Sequence, residues 1–384
     1  MRIKLSRRAR WAVPGTAVAV TAAAVAALQI PAAQASPSLP ARTPAQLLAS
    51  LSGDAKVPAM TGTVVETASL GLPQLPQTGN PSSLASLLTG SHTVKVYYQD
   101  ENHFRLAIPQ PSSETDVIGD GSKLWLWQSS SDSVTEFLPP ADKGKVKHSA
   151  PKLPQAPLTP QQAASQVLAA VGKTTLVSVQ ANVMVAGEPS YQLVLAPKDA
   201  RSLVGKVVIA VDGKYGVPLR VQLYAKGASS PAFQVGYTAL QWVAPAPANF
   251  SFTPPKGATV TVVNPDQEKA KPAKPDTSGF GTYGKSWLTV AALPEKDLMQ
   301  GFGTSSGSTA SQPDIASANN QGVGISSQEL LNALLGSAKP VSGAWGSGTL
   351  VTTSLVSILM TGGEVYIGAV QPSVLYAAVG HTAS

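Results

Sequence analysis

The side chains able to do chemistry are few and scattered. His92, His103, His148 and His381 show no metal-ligand spacing. There is no cysteine. That excludes disulfides, a thiolate nucleophile, a zinc-thiolate site and a lipidated-cysteine anchor. Gly303-Thr304-Ser305-Ser306-Gly307 matches the G-x-S-x-G pattern, but a nucleophile elbow needs a strand before it and a helix after it. This stretch lies in a Gly/Ser/Asn-rich tract, so a linker is the plainer reading. Glu114, Asp116 and Asp120 cluster near a turn, where a solvated edge competes with a cation site. No glycine-rich phosphate loop falls between a strand and a helix. The expectation is therefore no enzyme, no metal and no cofactor.

The elements that would position such groups are mostly strands. The chain has 384 residues, enough for a sizeable core in one or two domains. Its charged fraction of 13% is about half the usual share, and Gly (33) and Pro (32) are abundant. Thr43-Pro44-Ala45-Gln46 and Thr159-Pro160-Gln161-Gln162 both read as helix starts. Strands are expected at Met60–Ser69, from Thr93 through Tyr98, and at His103–Ile108, Ser113–Ile118, Lys123–Gln128 and Ser133–Leu138. After the second helix they resume at Thr175–Val185, Ser190–Ala196, Val207–Val211, Pro218–Tyr224, Phe233–Trp242 and Ser251–Thr253. Val211-Asp212-Gly213-Lys214-Tyr215-Gly216 reads as a hairpin turn. Short helices are expected at Ser82–Leu88 and Ser326–Leu335, and a last one at Pro372–Val379. Trp345–Val370 reads as two or three strands, with the run Leu350–Met360 as a buried strand.

Residues 1–35 read as a secretory signal, with an uncleaved membrane anchor as the competing reading. Arg2, Lys4, Arg7, Arg8 and Arg10 precede an uncharged Ala/Val-rich run, and Ala33-Gln34-Ala35 offers a cleavage site. These five cations supply most of the formal charge of +7, so the remainder is close to neutral. A protein so nearly neutral has no field for nucleic acid. No later run is long enough to span a membrane as a helix. The Ala/Gly/Pro-rich, cysteine-free composition fits a high-GC actinobacterium, and the expected place of action is the cell envelope or beyond.

Two segments carry a family likeness. Val117-Ile118-Gly119-Asp120-Gly121-Ser122-Lys123-Leu124-Trp125-Leu126-Trp127 resembles the "DG-K-x-L-W" hairpin of LolA-like lipoprotein carriers. Phe250-Ser251-Phe252-Thr253-Pro254-Pro255-Lys256-Gly257 is similar to the "F-x-F-x-P-P-x-G" close of the same fold. That superfamily includes LolA, the mycobacterial glycolipid binder LppX and the N-terminal domains of the regulators RseB and MucB. The resemblance implies an α+β fold: a strongly curved antiparallel half-barrel with plugging helices over residues 42–263. A linker at 264–277 then leads to a small C-terminal α+β domain at 278–384, with a flexible Gly/Ser segment at 301–321. The family motif falls on Asp120, Gly121, Lys123, Leu124, Trp125, Phe250, Phe252, Pro254, Pro255 and Gly257. One departure matters. Where the proteobacterial carrier has a gating Arg, this chain has Asp100, so that gate does not transfer.

A bent sheet with an apolar concave face can hold alkyl chains, at roughly 0.8 kcal/mol per buried methylene. The candidate lining is Val96, Tyr98, Phe104, Leu106, Leu124, Leu126, Leu193, Leu195, Val207, Ile209, Leu219, Val221, Phe233, Val235 and Tyr237. A closed core made of the same residues is the competing reading. Trp125 and Trp127 alternate with Leu124 and Leu126, so the two pairs take opposite sheet faces. The Trp pair then either meets a partner or membrane surface, or packs under a loop. The resemblance implies an exported carrier of a lipid or lipidated protein. Its alternative is an RseB-like regulator that binds a membrane anti-sigma factor.

Overall fold

The computed structural model describes residues 37–52, 57–69, 89–121, 123–138, 159–169, 172–264, 280–295, 336 and 338–380. The export segment, the expected helices at Ser82–Leu88 and Ser326–Leu335, residues 301–321 and nearly all of the 264–277 linker lie outside them. So do His148, His381 and the Gly303–Gly307 pattern.

Among the described residues the fold is mostly β: a twelve-stranded mixed sheet, a six-stranded antiparallel sheet and three α-helices. The first helix, α1, is Pro44–Ser52. Thr43 N–H donates to Gln46 Oε1 at 2.8 Å, and Gln46 N–H donates back to Thr43 Oγ1 at 3.3 Å. This reciprocal capping box satisfies two otherwise orphaned donors. The same device opens α2, Pro160–Ala169, where Thr159 and Gln162 exchange bonds of 2.9 and 3.3 Å. Both helices are too short to be stable alone and depend on tertiary packing. Leu47 of α1 and Ala163 and Ala164 of α2 supply it by sinking into the main core.

The large sheet has β1 (Met60–Ser69), β2 (Thr89–Tyr98), β3 (His103–Pro109), β4 (Glu114–Asp120), β5 (Leu124–Gln128) and β6 (Ser133–Phe137) in its first half. Its second half has β7 (Thr175–Val185), β8 (Glu188–Pro197), β9 (Val204–Asp212), β10 (Pro218–Ala225) and β11 (Phe233–Gln241). With β12 (Thr259–Val263) at one edge, the order is β12-β6-β5-β4-β3-β2-β1-β11-β10-β9-β8-β7, so β1 joins two meanders through antiparallel pairs on both sides. The expected Asp212–Gly216 turn is present. Asp212 Oδ1 accepts from Lys214 N–H at 3.0 Å and also from Tyr215 N–H.

Two expectations are corrected here. The sheet is not purely antiparallel: β12, Thr259–Val263, runs parallel to β6. Ser251–Thr253 is not a strand. Pro254-Pro255 cannot continue a ladder, since proline lacks the N–H, and strand structure resumes only at Thr259.

The small sheet comprises β13 (Gly281–Tyr283), β14 (Val290–Pro294), β15 (Lys339–Gly343), β16 (Gly346–Thr352), β17 (Ser357–Thr361) and β18 (Glu364–Gly368). The helix α3, Pro372–Ala378, packs on one of its faces with Val374, Leu375 and Ala378 buried. Leu350–Met360 is not one strand. Thr353 breaks it: its Oγ1 accepts from Leu355 and Val356 N–H at 3.3 and 3.0 Å, which builds a local turn. The two sheets are joined by Leu203 N–H to Ala369 O at 2.9 Å and by Gln371 N–H to Arg201 O at 2.8 Å.

Candidate functional site: one apolar face of the large sheet

Residues directly opposite in a ladder point to the same side of a sheet, so the register assigns each side chain to a face. In the first half, Tyr98 lies opposite Phe104, Val96 opposite Leu106, Leu106 opposite Val117, Val117 opposite Leu126 and Leu124 opposite Phe137. In the second, Leu193 lies opposite Ile209, Leu195 opposite Val207, Ile209 opposite Val221 and Val221 opposite Val235. Leu219 shares the side of Val221, two residues on. Phe233, opposite Leu223 and Ala68, and Tyr237, opposite Val64, complete the set. Val64 is in turn opposite Val94. Every residue of the expected lining therefore sits on one face, which runs unbroken from β5 to β8.

This face is shielded from water. Leu193, Leu195, Ile209, Leu219 and Val235 have no exposed surface, and only Tyr98, Leu106 and Phe233 are half-buried. Over the second half the cover is visible. Leu47, Ala163 and Ala164 join Leu193, Ile209, Leu219 and Val221 in one cluster. Tyr237 ties α2 down: Gln161 Nε2 donates to its hydroxyl at 3.4 Å, and that hydroxyl lies 3.8 Å from Met60 Sδ. Burial pushes the Tyr237 phenol up to about 12, with the Gln161 bond opposing. Gly62 leaves room for the ring, since a Cβ there would stand 2.8 Å from Tyr237 Cδ1. Over the first half, Phe104, Val117, Leu124 and Leu126 gather with Tyr98, Leu106 and Phe137, and no residue of a described helix joins them.

The register also reveals a residue that the sequence reading passed over. Glu66 of β1 lies opposite Val235 on one side and His92 on the other. It belongs to the apolar face and is only 3% exposed. The alternation Val64-x-Glu66 was the signal for it.

Apart from Val117, Gly119, Leu124 and Leu126, which belong to the apolar face, the contacts of the two motif segments gather on the opposite side and show what they do. Asp120 Oδ1 accepts from Lys123 N–H at 2.8 Å, and Asp120 Oδ2 accepts from Trp125 Nε1–H at 3.0 Å. Gly121 takes φ +91°, a left-handed conformation that glycine adopts without strain. The second segment folds over this hairpin. The Phe252 ring lies 5.5 Å from Trp125 and 6.3 Å from Trp127, and Phe250 lies 6.0 Å from His103. Pro255 and Gly257 bend the chain there: Ala258 N–H donates to Pro255 O at 3.1 Å, and Gly257 takes φ +93°. Trp125 is thus packed under a loop and not displayed. Ile118 and Val134 share that cluster. Asp100 at the departure position caps the β2–β3 turn, accepting from Asn102 and His103 N–H at 2.8 and 2.9 Å.

The acidic residues near the turn do not form a cation site. Asp116 and Glu114 share one guanidinium, with Arg105 Nη2 at 2.6 and 3.1 Å. Asp116 is nearly fully buried, and its Oδ1 has no hydrogen-bond partner. Burial pushes its carboxyl up to about 6, Arg105 pulls the other way, and Glu114 adds to the rise. The native state then holds a proton between about pH 4 and 6 that the unfolded chain has released, so stability falls as pH rises through this window. Asp116→Asn is expected to flatten that slope in urea unfolding measured from pH 4 to 7. An unchanged slope refutes the assignment. Among the described residues no group of His, Asp and Glu has the makings of a metal site, and no helix is long and apolar enough to cross a membrane.

No family model and no curated protein matches the chain. Solved structures do resemble it. The MucA/MucB complex of Pseudomonas aeruginosa aligns at 13% identity over 88% of this chain and 96% of that one, with a TM-score of 0.40. A LolA superfamily protein from Nitrosomonas europaea aligns at 13% over 55% of this chain and 99% of its own, TM-score 0.22. An outer-membrane lipoprotein-sorting protein domain from Vibrio parahaemolyticus, itself a putative assignment, aligns at 12% over 52% and 90%, TM-score 0.19. At these identities and TM-scores the likenesses carry no argument about ligand or partner.

Proposed function

We propose that this protein binds an apolar ligand, a lipid or the acyl chains of a lipidated protein, on the Phe104–Leu126 part of the apolar face. It does so outside the cytoplasmic membrane, after export by its N-terminal segment. The observation that carries the reading is the mismatch between that face and its helical cover. Twelve strands at about 4.8 Å spacing extend roughly 53 Å across the sheet. The two described helices that pack on this face, about 10–12 Å in diameter, cover less than half of that. The covered half is the one where Leu47, Ala163 and Ala164 pack. In the other half Phe104, Val117, Leu124 and Leu126 are buried too, so a guest there must displace what lies over them, and among the described residues no helix joins their cluster. In this reading the sheet curves around the guest, and burial of alkyl groups supplies affinity without polar specificity.

The test is native mass spectrometry of the full chain expressed in an exporting host, before and after incubation with a diacylated lipopeptide. Lipid adducts that survive desolvation, with about one lipopeptide taken up per chain, are expected. Ligand-free protein that takes up nothing defeats the proposal.

A further inference from the structure

The side of the large sheet away from the apolar face holds a cation without a counter-ion. Arg220 of β10 alternates with Leu219 and Val221, so it points away from the apolar lining. By register it lies opposite Gly236 of β11 and Ala210 of β9. Gly236 gives the arginine stem its place, since a Cβ there would stand 2.8 Å from Arg220 Cγ. Ala210 and, two residues along, Val208 are buried, so water reaches this part of the sheet poorly. Arg220 Nε is itself buried and has no hydrogen-bond partner. Arg105 pairs with Asp116 and Glu114, and Arg201 with Asp199; among the described residues no carboxylate pairs with Arg220. Burial pulls its guanidinium below the ordinary value, opposed by the Tyr224 phenol and by no acidic group. A charge held out of water with an unmade hydrogen bond destabilises the fold unless an anion meets it. A second donor stands beside it. Gln234 is two residues from Gly236 and faces Gln222. Gln222 Nε2 donates to Gln234 Oε1 at 2.6 Å, which fixes the Gln234 amide and leaves its own N–H groups for another acceptor.

From this arrangement we infer that Arg220 and Gln234 form an anion site on the outer side of the sheet, and that its ligand is a phosphoryl group. One edge of the guanidinium, Nε included, takes two oxygens through parallel N–H···O bonds. The Gln234 amide serves a third oxygen, which a carboxylate lacks. The site is separate from the apolar face and does not depend on alkyl binding there. Its phosphoryl group comes from the head group of an anionic lipid or from a soluble phosphate.

The test compares the full chain, Arg220→Met and Arg220→Lys by thermal unfolding at pH 7.4, with millimolar sodium phosphate set against sodium chloride at equal ionic strength. The wild type is expected to gain about 2–4 °C over chloride, because a ligand that binds only the native state stabilises it by mass action. Arg220→Met keeps the stem and removes the charge. It is expected to lose that gain, yet to melt no lower than the wild type in chloride, since no uncompensated charge remains buried. Arg220→Lys keeps the charge without the planar fork and is expected to lose more than half of the gain. It keeps the test decisive where the Met variant does not fold. A general salt effect raises all three proteins alike. Co-sedimentation with phosphatidylglycerol vesicles, against phosphatidylcholine vesicles, separates the two sources. Binding to phosphatidylglycerol that Arg220→Met abolishes assigns the site to a lipid head group, and a phosphate gain without vesicle binding assigns it to a soluble phosphate. Equal melting in phosphate and chloride, an equal gain from acetate, or the full gain in either variant overturns the inference.

Discussion

Replacing Trp125 by alanine is expected to destabilise the protein by about 3–5 kcal/mol, the range for truncating a buried aromatic residue. Three connections are lost together. The indole is 7% exposed, so its removal opens a cavity between Ile118, Val134 and Phe252. Its Nε1–H no longer reaches Asp120, the residue that also orders the turn at Lys123. The Lys123 ammonium, 5.2 Å from the ring centre, loses its cation–π neighbour, while its 2.6 Å pair with Glu136 remains. Trp125→Phe keeps most of the volume and deletes only the hydrogen bond. It should cost about 1 kcal/mol. Urea unfolding of the three proteins measures both figures. Were Trp125 a membrane or partner contact, truncating it would leave the stability of the isolated chain unchanged. A shift under about 0.5 kcal/mol would therefore return it to that role.

Much of this arrangement could be read from the residues because it is local. Thr-Pro-x-Gln at 43 and 159 is a capping box in any context. Leu-Trp-Leu-Trp at 124–127 divides between two faces whatever the fold. Asp120-Gly121 requires a turn. What could not be read is how distant segments meet. The direction in which the chain re-enters the sheet after Pro254-Pro255 depends on what it packs against, and Phe252 packs on the Trp pair. That sends β12 alongside β6 in parallel. The run Leu350–Met360 looks continuous because its Thr and Ser residues are compatible with strand, yet Thr353 uses its hydroxyl to close a turn.

The candidate site was legible in its composition and not in its state. Alternation placed the lining on alternate positions, and the register then put all of it on one face. Alternation says nothing of what lies above that face, so the choice between a closed core and a ligand surface needed the helices. Leu47, Ala163 and Ala164 close one half and leave the nature of the other to chemistry. Glu66 escaped notice for a related reason. A single carboxylate in a strand reads as an outward residue, until its partner Val235 fixes which way it points.

The two halves of the face should answer differently to the same mutation. Leu193 has no exposed surface and packs in the cluster that α1 and α2 close. Leu193→Ala is expected to cost about 2–5 kcal/mol of stability through lost burial and an unfilled cavity. It should leave lipid affinity within about two-fold, because the helices and not the guest fill that half. Leu126 is 2% exposed among Phe104, Val117 and Leu124, where no described helix residue packs, so under the proposed function a guest meets it after displacing what covers it. Leu126→Ala removes apolar contact to the guest, and at roughly 0.8 kcal/mol per methylene the loss of about two to three such groups weakens binding by about 10- to 50-fold. The readout is the rise in melting temperature on adding dodecanol, since a ligand that binds only the native state stabilises it by mass action. Both variants should start lower, since both leucines are buried, but Leu193→Ala should rise as far as the wild type does. Leu126→Ala should show a much smaller rise at the same dodecanol concentration. Equal rises in both variants would mean that the guest does not touch the Leu126 half, and the ligand site would have to be sought elsewhere.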